Sequence, residues 1–85
     1  MKKQTYLIET FDKHGKRYDF YRVGCKKVGT CLGYLKNWRD EAIKQSHWLV
    51  VYKEFADKES TYTITATPDG YNKTNVVATG KIFDL

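Results

Sequence analysis

Apolar and polar positions change period several times along this chain, and each change marks an element. Residues 4 to 12, Gln4-Thr5-Tyr6-Leu7-Ile8-Glu9-Thr10-Phe11-Asp12, are rich in β-branched and aromatic types and predict a strand. Asp12-Lys13-His14-Gly15-Lys16 follows, where Asp suits the opening of a type I turn and Gly15 suits positive φ. Arg17 to Val23 then alternates Tyr18 and Phe20 against Arg17 and Asp19, which predicts the partner strand of a hairpin.

The period then lengthens. Val28, Cys31, Leu35, Trp38 and Ala42 fall on one stripe at helical spacing, widened by Leu32 and Ile43, and predict a helix over residues 28 to 46. Gly33, Asn37, Asp40, Glu41 and Lys44 make its polar face, with Asp40 and Lys44 in the favourable acid-first order. Thr30 is the expected N-cap, and Gly29 and Gly33 weaken the helix start. Arg39 breaks the pattern by lying near the apolar stripe, where it either snorkels along the helix edge or reaches an anion.

Beyond the helix, residues 47 to 55 contain Trp48-Leu49-Val50-Val51-Tyr52, apolar on both alternating faces, which predicts a central strand. A charged turn at 56 to 59 leads into 60 to 67, the cleanest alternation in the chain. There Tyr62, Ile64 and Ala66 oppose Thr61, Thr63, Thr65 and Thr67, which are expected to form a wet face. Pro68-Asp69-Gly70 is a turn, its loop running on to Thr74, and residues 75 to 83 predict a fifth strand with a bulge near Gly80. The order is ββαβββ, an α+β class with a single helix packed on a largely antiparallel sheet.

Composition bounds what such a fold can do. Eighty-five residues form one domain, residues 1 to 85, with little volume to spare for a deep cleft. The hydrophobic fraction of 41%, with 15% aromatic residues, is a folding composition. No apolar run approaches the roughly 18 residues of a membrane span, and the N-terminus loses its apolar stretch to Glu9, Asp12 and Lys13. The expectation is a cytoplasmic protein with no membrane partner. Cys25 and Cys31, with five residues between them, make neither a disulfide framework nor a zinc motif, and His14 and His47 stand apart; no metal or cofactor is expected.

Charge changes the picture most. Residues 1 to 39 hold ten Lys/Arg and three acids, a balance of +7, whereas residues 40 to 85 hold five Lys and seven acids, a balance of −2, summing to +5. The basic residues flank the predicted hairpin and the helix start. Lys13, Lys16, Arg17, Arg22, Lys26 and Lys27 are therefore expected on nucleic-acid phosphates, with Tyr18 or Tyr21 stacking on bases and Arg39 as a further cation. Lysine outnumbers arginine twelve to three, which favours diffuse phosphate contact over base reading and predicts little sequence specificity.

Other classes fare less well. Gly24-Cys25-Lys26-Lys27-Val28-Gly29-Thr30 has the glycine spacing of a phosphate-binding loop but lacks the lysine after Gly29, so nucleotide hydrolysis is rejected; an anion at the helix start, held by Lys26 and Lys27, is the weaker claim that survives. No nucleophile has an activating base, and Asp40 and Glu41 point to different sides of the helix, so no enzyme is expected. The alternative reading is a protein-binding regulator or inhibitor of bacterial or phage type, docking on an acidic partner surface or pairing through a sheet edge. The two basic clusters stand at opposite ends of one strand, about 20 Å apart for seven residues. Whether they form one patch depends on the fold.

Overall fold

A computed structural model of the chain describes residues 4–44, 58–67 and 75–85. Within them, one helix packs on a four-stranded antiparallel sheet: β1 (Gln4–Phe11), β2 (Arg17–Cys25), α1 (Val28–Lys44), β3 (Thr61–Ala66) and β4 (Asn75–Lys81), followed by a 3-10 turn at Ile82–Asp84. The sheet order is β2-β1-β3-β4. This is the α+β architecture expected from the sequence. The strand expected over 47 to 55 and the loop over 68 to 74 lie outside the described residues.

The hairpin forms where its turn chemistry dictates. Asp12 Oδ1 accepts hydrogen bonds from the backbone N–H of His14 (2.9 Å) and of Lys16 (3.0 Å), closing an Asx turn. Gly15 adopts φ +81°, a conformation that a Cβ would disfavour. The ladder then carries one irregularity: Thr10 pairs with Asp19 and Phe11 with Arg17, so Tyr18 is the extra residue of a bulge. That bulge breaks the simple alternation read across Arg17 to Val23. Tyr18 packs against the core, while Arg17 comes to the same side of the sheet as Phe20.

The centre of the sheet is β1 and β3, paired directly with each other. Both of their edges are therefore used, β1 by β2 and β3 by β4. Tyr6-Leu7-Ile8-Glu9-Thr10 is buried without a break, the signature of an interior strand covered on both faces. The helix side of the sheet is lined by Tyr6, Ile8, Tyr62, Ile64 and Ala66, which join Cys31, Leu35 and Ala42 of α1 in one core with Cys25 and Ile82. The apolar stripe of the helix is thus the one the sequence predicts, except that Ile43 is exposed. Thr30, expected as the N-cap, lies inside the helix, which begins at Val28.

The threonines of β3 depart from expectation. Thr65 and Thr67 are 2% and 0% exposed, so their side of the strand is not a wet face beyond Thr61 and the half-buried Thr63. Thr67 extends the ladder, its backbone N–H and its hydroxyl both donating to the Thr5 carbonyl at 2.8 and 3.1 Å. Among the described strands β3 is interior and β2 and β4 are the edges, so the threonine strand is not the one placed to pair with another chain.

Two side chains lock the end of the chain onto the helix and sheet. Arg39 Nη1 donates to the carbonyls of Ile82 (3.2 Å) and Leu85 (3.0 Å), while its Nη2 meets Asp40 Oδ1 at 2.7 Å. On the sheet, Gly80 pairs with Tyr62, and a Cβ built on the glycine would lie 2.9 Å from the Tyr62 hydroxyl oxygen. The missing side chain is the space the ring occupies.

Candidate nucleic-acid interface

Among the described strands β2 is at an edge of the sheet, and its two faces carry different chemistry because β1 fixes its register. Positions opposite Tyr6, Ile8 and Thr10 turn toward the helix: Val23, Tyr21 and Asp19. Positions opposite Leu7 and Glu9 turn away from it: Arg22 and Phe20. The bulge adds Arg17 to this outward set. The outward face of the edge strand therefore reads Arg17, Phe20, Arg22.

Phe20 is 40% exposed, a large ring left on the surface. The Arg17 guanidinium lies over it, 4.8 Å from the ring centroid, in cation–π contact. Arg17 also reaches the buried carboxylate of Glu9 at 3.5 Å, with half of the arginine side chain still accessible. Glu9 belongs to the same outward face and pairs with Phe20 in the ladder. The buried anion thus holds Arg17 beside the ring and offsets part of its charge.

At the ends of β2 stand the lysines. Lys13 and Lys16 lie in the exposed turn before it, and Lys26 and Lys27 are exposed between its end and α1. The nine residues of β2 span about 26 Å at about 3.3 Å per step. This exceeds the Debye length of about 8 to 10 Å near physiological salt. The two lysine clusters do not act on one small ion. They are joined instead through Arg17 and Arg22 into a basic stripe along an edge, with an aromatic ring at its middle.

The structure separates the sequence-predicted residues into two groups. Lys13, Lys16, Arg17, Arg22, Lys26 and Lys27 line or flank the stripe. Tyr18, Tyr21 and Arg39 do not join it. Tyr18 packs against the core. Tyr21 faces the helix, its ring centroid 3.7 Å from that of Trp38 and its hydroxyl donating to Asp19 Oδ2 at 2.9 Å. The Arg39 side chain is 11% exposed and spent on the C-terminal carbonyls and Asp40. Phe20 is the residue that sequence reasoning passed over. Its signal was masked because the bulge sits between it and Tyr18, and an unbroken alternation assigns both rings to one face.

Among the described residues, no three His, Cys, Asp or Glu side chains converge as a metal site would require. The buried side-chain nitrogen and oxygen atoms among them all have hydrogen-bond partners. No described helix is long and apolar enough to cross a membrane. A cavity of about 390 Å³ is bordered by Asn37, Asp40, Glu41 and Lys44 on the polar face of α1. The chain matches no protein-family model, no curated protein and no solved structure.

Proposed function

We propose that this chain is a non-catalytic module that binds single-stranded nucleic acid along the outward face of β2, with little sequence specificity. The observation that carries the reading is the exposed Phe20 ring flanked by Arg17 and Arg22 on an edge strand whose two ends are basic. Single strands offer what this surface can use. Their phosphates are neutralised by a track of lysine and arginine, and their unstacked bases lie on an aromatic ring whatever their identity. Duplex grooves are read by elements that protrude, whereas a strand face is flat, so stacking at Phe20 favours the unpaired form.

Amide chemical-shift mapping with a single-stranded oligonucleotide tests the reading. Shifts should cluster on Arg17 to Cys25 and on the turn holding Lys13 and Lys16. Saturating shifts confined to β4 or to the outer face of α1, or no shifts at all, would refute it.

A second reading, a regulator that pairs with a protein through a sheet edge, is favoured by a different observation. Among the described strands β4 is the other edge of the sheet, and its Val76 and Val77 are 63% and 43% exposed. Capture from nuclease-treated lysate separates the two: protein partners retained after nuclease treatment, and lost on charging Val76 and Val77, support the sheet-edge reading. Loss of all partners on nuclease treatment supports the first.

A further inference from the structure

Cys25 closes β2, and Cys31 stands at the end of the first turn of α1, so thiols from two elements meet where the strand gives way to the helix. Both are buried, at 4% and 0% exposure. Their sulfurs are 3.4 Å apart, with the Cys31 thiol donating to Cys25. A disulfide needs about 2.05 Å, so the sulfurs must close by about 1.4 Å, a distance within reach of small side-chain rotations. Sequence spacing alone suggests two unrelated thiols; the fold sets them in contact.

We propose that Cys25 and Cys31 are a reversible thiol–disulfide site, oxidised by a small disulfide such as oxidised glutathione and reduced by the corresponding thiol. The inference stands apart from nucleic-acid binding. Its product would staple the end of β2 to α1 and close a short loop holding Lys26 and Lys27, two residues of the basic stripe.

The order of steps follows from the environments. Burial, then the hydrogen bond to Cys25 and the charge of that neighbour, push the Cys31 thiol from 9.0 up to about 12, so it stays protonated at neutral pH. Cys25 retains the residual exposure and meets the oxidant first. Its thiolate sulfur attacks one sulfur of the small disulfide, forming a mixed disulfide and releasing one thiolate. Cys31 then gives its proton to a base, and its sulfur attacks Cys25, releasing the second small thiol. Two protein thiols have been oxidised to one disulfide and one small disulfide reduced to two thiols. Once Cys25 has reacted, its hydrogen bond and charge no longer act on Cys31, but burial still opposes loss of the Cys31 proton, so the second step accelerates with pH.

The test is to incubate the full chain with graded mixtures of oxidised and reduced glutathione, quench by alkylation and read the intact mass. The expected product is a monomer lighter by two hydrogens, carrying no alkyl group and reverting in reduced glutathione. Amide shifts on oxidation should be confined to Gly24 through Leu32. A Cys31→Ser variant should stop as the Cys25–glutathione adduct; if that variant does not fold, the mass of the unmodified chain still decides. A wild-type chain that ends as a persistent glutathione adduct, as a disulfide-linked dimer, or with both thiols free under the most oxidising mixture overturns the proposal.

Discussion

The Arg17 guanidinium covers the Phe20 ring at 4.8 Å from its centroid while also meeting the buried Glu9 carboxylate at 3.5 Å. In the proposed interface the pair is an amphipathic platform: the ring would supply a stacking face, and the arginine holds one side of it and adds charge. Replacing Phe20 with Ala should weaken single-strand binding by about 1 to 3 kcal/mol, the worth of one stacked base. Stability should change little, because the ring is already 40% exposed. Titration of a labelled oligonucleotide, alongside urea denaturation, reads both. Phe20→Trp should preserve or strengthen binding.

The two ends of β2 predict a dependence on oligonucleotide length. Lys13 and Lys16 lie about 26 Å from Lys26 and Lys27 along the strand. Oligonucleotides too short to span that distance reach one lysine pair at a time, and should keep most of their affinity when only one pair is replaced. Longer ones should respond to both replacements, each lysine removed shallowing the logarithmic salt dependence by about 0.7.

Arg39 makes the contrasting prediction. Its guanidinium is engaged by the Ile82 and Leu85 carbonyls and by Asp40. Arg39→Lys keeps the charge but not the fork that serves two carbonyls at once, and should cost about 1 to 3 kcal/mol of stability. Oligonucleotide affinity measured on the folded variant should be unchanged. A variant of full stability with weakened binding would instead put Arg39 in the interface.

Packing on the far side of the sheet gives a prediction independent of function. A Cβ at residue 80 would meet the Tyr62 hydroxyl oxygen at 2.9 Å and the ring carbon Cε2 at 3.0 Å. Tyr62 is 8% exposed and has little room to retreat. Gly80→Ala should destabilise by about 1 to 3 kcal/mol through overpacking. Adding Tyr62→Phe should relieve only part of that, since the contact with the ring carbon remains.

Alkaline stability should respond to Cys31. Its thiol ionises at about 12 in the folded chain against 9.0 ordinarily, so the unfolded chain gives up this proton first as pH rises. The contribution is full below pH 9.0 and is lost progressively as pH climbs toward 12. Under reducing conditions, denaturant midpoints above pH 9.0 should fall more steeply for the wild-type chain than for Cys31→Ala.

Much of the fold was legible because local signals agreed with tertiary demands. The Asp12 and Gly15 turn, the stripe from Val28 to Ala42 and the Tyr62, Ile64, Ala66 alternation each name an element and its buried face. What failed to show is set by pairing partners distant in the chain. Threonine reads as a wet-face residue, yet Thr65 is buried beside Leu7, its partner across the ladder from β1. Interior position was written instead in Tyr6-Leu7-Ile8, three apolar residues that serve both faces of β1. Of the proposed site, the sequence points to the cations and not to the aromatic ring. Composition marks where Lys and Arg gather, but one extra residue at Tyr18 decides which ring stays outside.

Binding to a single-stranded oligonucleotide across a series of salt concentrations decides whether β2 and its flanking lysines contact phosphates. Six basic side chains on the stripe, at about 0.7 per neutralised phosphate, predict a logarithmic slope approaching about −4. Replacing Lys13, Lys16, Lys26 and Lys27 with Ala should bring it to about −1.4. No binding at about 50 mM salt, or binding indifferent to salt, would contradict the account.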